Sequence, residues 1–182
     1  MKPWTTDFHT RIFTLEHTGQ DGITFYRLAC PDWINVIPLT ADGRVVFVRQ
    51  FRHGVEAETL EVPGGQMDPT DASPLEAARR ELLEEAGYAG DEWTPLGWVH
   101  PNPAILRNRC HSFLVRGVRP VAPIHNDPGE RTEVELVPLT DVPRLILEGT
   151  VTHALVLNAF HFLALKREAL QFPRIHDMIN MT

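Results

Sequence analysis

The chain has 182 residues, 43% of them hydrophobic and 23% charged, the make-up of an ordinary folded domain with material for a sizeable core. Seventeen basic residues against 24 acidic ones give a formal charge of −7, so there is no basic field to hold a nucleic-acid backbone. Cys30 and Cys110 stand far apart and outside any CxxC, which excludes a disulfide framework and a thiolate zinc knuckle and points to a reducing cytoplasm.

No apolar stretch follows Lys2, so no signal peptide is expected at the N-terminus. Residues 8–17, 22–29, 33–40 and 44–51 are short β-branched or aromatic runs separated by turn signals at 19–22, 31–32 and 41–43, and they read as strands, the first two as a hairpin. After a loop at 53–59, residues 60–65 form a short strand running into Gly64 and Gly65. A helix then opens on Ser73 as N-cap, with Pro74 at the first helical position and Glu76 three residues after the cap, and it stops at Gly87. Strands are expected at 93–100, 109–116 and 132–137, and helices at 140–148 and 152–170. The most apolar stretch, 154–165, is too short to span a bilayer and is interrupted by Asn158 and His161, so it reads as the buried face of a helix.

Several chemistries drop out. Ser73 and Ser112 are the only serines and neither sits in GxSxG; neither Lys2 nor Lys166 follows a glycine, so there is no P-loop; the nine histidines form no HExxH or HxH. The positive signal is the run from Arg80 to Gly87. On a helix, Glu81, Glu84 and Glu85 stand at i, i+3 and i+4 and crowd one face. A solvated acidic face is the bland reading. Against it, these glutamates occupy the last two turns, where the helix dipole disfavours negative charge by ~0.3–1 kcal/mol each and where they also repel one another. A bound divalent cation relieves both effects, and oxygen-only ligands suit Mg²⁺ or Mn²⁺.

This run resembles the signature of the Nudix hydrolases, G-x5-E-x7-R-E-U-x-E-E-x-G-U with U a bulky apolar residue. Arg80, Glu81, Leu82, Glu84, Glu85 and Gly87 match in register, with Tyr88 at the last position. The first half departs from it: five residues separate Gly65 from Asp71, which stands in place of Glu, and eight residues rather than seven separate Asp71 from Arg80. The extra residue precedes the Ser73 cap, so a loop absorbs it without rotating the glutamates. Residues 48–52, 60–65, 74–78, 101–104, 108–114 and 133–139 are similar to the ADP-ribose and nucleotide-sugar pyrophosphatase branch, and the resemblance runs from about residue 33 to residue 165.

The resemblance implies an α/β/α sandwich around a mixed sheet, with residues 1–38 an N-terminal antiparallel strand region serving dimerisation and residues 39–182 the hydrolase domain. It implies Mg²⁺-dependent cleavage of a nucleoside diphosphate sugar, ADP-ribose or a nucleotide-hexose such as GDP-mannose, by a homodimer. Glu81 and Glu85 become metal ligands, Glu84 a ligand or an outer partner, and the Gly64 carbonyl a further oxygen. Arg80 orients the glutamates, although a simple surface pair with Glu84 is its alternative. An acidic loop holding Asp127, Glu130 and Glu133 supplies the general base, with Glu130 preferred and Glu133 next. Arg52 is the candidate for gripping the diphosphate, the alternative being a salt bridge with Glu61, and Trp4, Phe8 and Tyr26 are candidates for stacking the nucleobase or for the core. The rival functional reading is a catalytically silent Nudix-fold module that binds a nucleotide sugar as a sensor, suggested by the altered first half of the signature.

Overall fold

The computed structural model describes residues 2–126 and 129–169. Three strands, β1 (Thr5–His9), β2 (Thr14–Gln20) and β3 (Ile23–Ala29), make a small antiparallel sheet. The expected hairpin is β2–β3, with Gln20 opposite Ile23 across Asp21-Gly22; both turn residues have positive φ, 52° and 80°, the pair a two-residue turn between twisted strands requires. The run 8–17 is two strands rather than one. Thr10 breaks it, because its hydroxyl oxygen accepts from the backbone N–H groups of Ile12 and Phe13 and closes a turn where the periodicity continues.

The larger sheet has seven strands: β4 (Trp33–Thr40), β5 (Arg44–Arg52), β6 (Ala57–Glu61), β7 (Tyr88–Ala89), β8 (Glu92–Val99), β9 (Cys110–Pro120) and β10 (Thr132–Pro138). The path runs β10-β5-β4-β9-β7, with β6 added to β5 and β8 to β9. β4 and β9 are parallel and the other pairings antiparallel, so the sheet is mixed. Strand alternation assigns its two faces. Val46 and Val48, with Ile34 and Val36, pack on α1 (Pro74–Ala86) through Ala77, Ala78 and Leu82, while Val45 and Phe47, with Ile37, pack on α2 (Val142–Leu147) and α3 (Ala154–Ala169) through Val142, Val156 and Phe160. The result is the α/β/α sandwich the resemblance implied. The small sheet ends at Ala29 and the central strand of the large one begins at Trp33.

Helix α1 keeps the punctuation read from its sequence. Ser73 accepts from the Glu76 N–H, Pro74 starts the helix, and Gly87 at φ 71° donates its N–H back to Leu82 and Leu83. Glu76 does not close the capping box with its carboxylate, which accepts from Arg79 instead. Helix α2 is shorter than expected because residues 139–141 form a 3-10 turn. Asp127 and the end of the last expected helix, Leu170, lie outside the described residues.

Candidate active site

The strand β6 ends at Glu61, and Val62 and Pro63 lead into Gly64 and Gly65, which run alongside β4: Ile34 donates its N–H to the Gly65 carbonyl and Val36 to that of Pro63, both at 2.9 Å. Gly64 has to be glycine for this approach. A Cβ on Gly64 would collide with the Ile34 carbonyl oxygen, and one on Gly65 would lie 2.5 Å from Glu81 Oε1. The carboxylate row of α1 therefore sits directly on the glycine turn, and Glu85 Oε2 accepts from the Gly64 N–H at 2.8 Å.

Glu81 and Glu85 are 8% and 4% exposed. Burial raises the Glu81 carboxyl to about 7 against the pull of Arg80, and raises Glu85 to about 8 against the Gly64 hydrogen bond, with neighbouring carboxylates adding to both. Two acids with so little countercharge are the donors a hard cation requires. Glu84 shares the Arg80 contact with Glu81 but is more exposed, and among the described residues no three His, Cys, Asp or Glu side chains are arranged as a metal-holding cluster. Glu81 and Glu85 are the two buried glutamates of the helix row, with the half-buried Glu84 beside them. The donor set that fits Mg²⁺ or Mn²⁺ is Glu81, Glu85 and the backbone oxygen of Gly64, whose neighbours' carbonyls are already taken by β4.

Arg80 is more than a surface partner of Glu84. Its Nε and Nη2 donate to the two Asp71 oxygens at 3.2 and 3.0 Å, Nη1 donates to Glu81 at 3.0 Å and Glu84 at 2.9 Å, and Nη2 also reaches the Gln66 carbonyl at 3.1 Å. Burial opposes its charge, but the three carboxylates outweigh it and raise its pKa further. Asp71 is held below its ordinary value by the same hydrogen bonds. The shorter side chain, set on a longer loop, reaches the guanidinium from the position where the signature has Glu.

A cleft of about 770 Å³ opens over this wall. Its lining includes six carboxylates, Glu61, Asp68, Glu81, Glu84, Glu85 and Glu130, against three guanidinium groups, Arg11, Arg52 and Arg80. Arg52 donates two hydrogen bonds to Glu61, at 2.9 and 2.7 Å, and Glu61, 2% exposed, also accepts from Thr59. Although burial disfavours its charge, these bonds hold the Glu61 carboxyl below its ordinary value. The Arg52–Glu61 pair lies within one chain and lines the cleft.

The family model for the NUDIX domain matches residues 32–160. The chain belongs to the NUDIX family. It is 31% identical over 142 residues to the ADP-ribose pyrophosphatase of Bacillus subtilis (strain 168), a match spanning 78% of this chain and 76% of that relative. The ADP-ribose pyrophosphatase of Mycobacterium tuberculosis (strain ATCC 25618 / H37Rv) is 24% identical over 126 residues, 68% of this chain and 60% of its own length. A solved structure of an ADP compounds hydrolase superposes with a TM-score of 0.76 at 23% identity, covering 93% of this chain and 92% of that one, which shows the common fold. This NUDIX chain is a hydrolase of that family.

Within it, the candidates divide. Glu130 lines the cleft, whereas Glu133 stands on β10 beside Arg131 at 3.5 Å and is not among the lining residues. Trp4 and Tyr26 line a second cavity of about 480 Å³ between the small sheet and residues 103–107, with the Arg27 guanidinium 3.8 Å above the Trp4 ring, and Phe8 is 59% exposed and lines neither. What the small sheet brings to the main cleft is the turn after β1, Arg11 and Ile12, tied down by Gln66 Nε2 donating to the Ile12 carbonyl at 3.4 Å. Sequence reading also passed over Asn35 and His153, both in the lining. The only sign of Asn35 was a polar residue inside an apolar strand; His153 gave none. Burial lowers the His153 pKa, and its Nε2 lies 4.0 Å from Glu61.

Proposed function

We propose that this protein hydrolyses the pyrophosphate bond of a nucleoside diphosphate sugar, ADP-ribose first and a nucleotide-hexose such as GDP-mannose second, giving a nucleoside monophosphate and a sugar phosphate. The observation that carries the reading is the buried Glu81–Glu85 row laid against the Gly64–Gly65 turn, inside a cleft whose carboxylates outnumber its arginines. A diphosphate entering such a cleft meets net repulsion unless a divalent cation comes with it. The names of the two curated relatives favour ADP-ribose. The silent-module alternative rested on the missing signature Glu; Asp71 gripping Arg80 removes its support.

When bound, Mg²⁺ or Mn²⁺ neutralises charge on the diphosphate and lowers the pKa of an attacking water. Glu81, Glu85 and the Gly64 carbonyl would hold the cation, and Arg80 fixes the carboxylates against rotation. Glu130 takes the proton of the water as its oxygen bonds to one phosphorus and the bridging P–O bond breaks. Arg52 and Glu61 shape the substrate side of the cleft. With a panel of nucleotide sugars, turnover of ADP-ribose is expected in Mg²⁺ and loss of all turnover in EDTA; equal rates in both would reject the reading.

The exposed side chains of the small sheet, Phe8, Ile23, Phe25 and Tyr26, fit a homodimer interface, since strands this apolar need a covering surface. Light scattering at micromolar concentration is expected to give twice the 20.6 kDa chain mass, and deletion of residues 1–32 to abolish the dimer and weaken substrate binding. A clean monomer contradicts this. Among the described residues no helix is long and apolar enough to cross a membrane, and the free thiols Cys30 and Cys110 fit a cytoplasmic home.

A further inference from the structure

Asn35 is the polar residue of β4 that the fold does not explain. Its neighbours Ile34 and Val36 face α1, so alternation turns Asn35 to the other face, the one on which Ile37 joins the apolar cluster under α3. An aliphatic side chain would suit that place. Instead Asn35 is 7% exposed and its Nδ2 is sealed from water with no hydrogen-bond partner among the described residues. Burying an unpaired amide destabilises the fold, so the packing of the strand does not account for its presence.

The surroundings say what the amide can meet. Asn35 lines the main cleft and abuts the glycine turn: a Cβ on Gly64 would lie 2.8 Å from Asn35 Oδ1 and 3.2 Å from its Cα. It therefore stands beside the wall formed by Gly64, Glu81 and Glu85. Of the guanidinium groups lining the cleft, Arg80 is committed to Asp71, Glu81 and Glu84 and Arg52 to Glu61, while Arg11 lies on the turn after β1. Oδ1 is the amide atom beside Gly64, so a half turn about χ2 exchanges the two ends and sets the NH2 there as a neutral donor next to the glycine turn.

We propose that the Asn35 side-chain amide donates a hydrogen bond to a non-bridging oxygen of the substrate's diphosphate and so fixes it against the Gly64 turn. This rests on the reading of the cleft as a pyrophosphatase site, and it adds a binding residue outside the signature. Being neutral, the amide contributes to holding the diphosphate without drawing it away from the cation, so its effect falls on binding more than on turnover.

The test uses the intact protein and the α,β-methylene analogue of ADP-ribose, whose bridging carbon is not hydrolysed, with affinity measured by calorimetry in Mg²⁺. Asn35→Ala is expected to weaken binding by ~10-fold, the scale of one lost hydrogen bond to a charged group, with KM for ADP-ribose rising in step and kcat staying within about threefold. Its melting temperature should equal or exceed that of the parent. Asn35→Leu, which fills the strand position with the side chain the core would choose, should be more stable and equally weak in binding. Unchanged affinity in both variants overturns the inference, as does a loss of affinity that tracks a loss of stability, or failure of the parent itself to bind the analogue. A parent that binds the analogue but turns over no nucleotide sugar would sink the hydrolase reading and leave Asn35 standing; normal turnover with indifferent Asn35 variants does the reverse.

Discussion

Glu85→Gln slows hydrolysis by at least ~100-fold, the scale of losing one strong electrostatic stabiliser, while making the metal-free protein more stable. Both effects come from the same burial. Glutamine keeps the shape and can still accept from the Gly64 N–H, but it brings no charge to a cation. For stability the direction follows from linkage. The Glu85 carboxyl ionises at 4.5 in the unfolded chain and near 8 in the folded one, because burial disfavours its charge. Between those pH values the unfolded state gives up its proton first, so folding weakens as pH rises through the window and levels off above it. In EDTA the variant should melt at least ~5 °C above the parent at pH 8.5 and at the same temperature at pH 4.5. A variant that melts lower at pH 8.5, or that keeps most of the parent's rate, shows that the buried row is not the metal-binding wall.

Arg80→Ala has the second large effect, and it damages fold and chemistry together. Five hydrogen bonds leave with the guanidinium, and Asp71, Glu81 and Glu84 lose the charge that holds them together. Leaving partly buried carboxylates without their partner costs ~3 kcal/mol, and a Glu81 free to rotate should lower kcat by ~100-fold or more. Arg80→Lys restores the charge without the planar fork, so it should recover stability better than rate. Urea unfolding and initial rates on the two variants separate these contributions. Wild-type behaviour in Arg80→Ala would reduce the residue to the simple helix pair with Glu84.

How far the sequence could be read depended on how local the information was. Helix α1 was legible to its ends because Ser73, Pro74 and Gly87 act within a turn of where they stand. The strand break at Thr10 was less so: a hydroxyl bonding two residues on leaves no mark on the apolar pattern. Asp71 was legible as a departure from the signature, but its grip on Arg80 depends on how a loop one residue longer folds back. The cleft was the least legible part. It joins the turn at Arg11, strand β4 at Asn35, the end of β6 at Glu61, the row on α1 and His153 before α3, and no spacing along the chain announces that these meet. For the same reason Trp4 and Tyr26, chosen for their aromatic rings, turn out to line a second cavity instead of the first.

The central claim is that the cleft over Glu81 and Glu85 breaks a pyrophosphate bond, and chromatography of the products formed from ADP-ribose tests it most directly. With Mg²⁺ the parent should yield AMP and ribose 5-phosphate in equal amounts, and Glu85→Gln next to none over the same time. Intact ADP-ribose after prolonged incubation with the folded, Mg²⁺-supplied parent, across the whole nucleotide-sugar panel, or equal product from parent and variant, would contradict it.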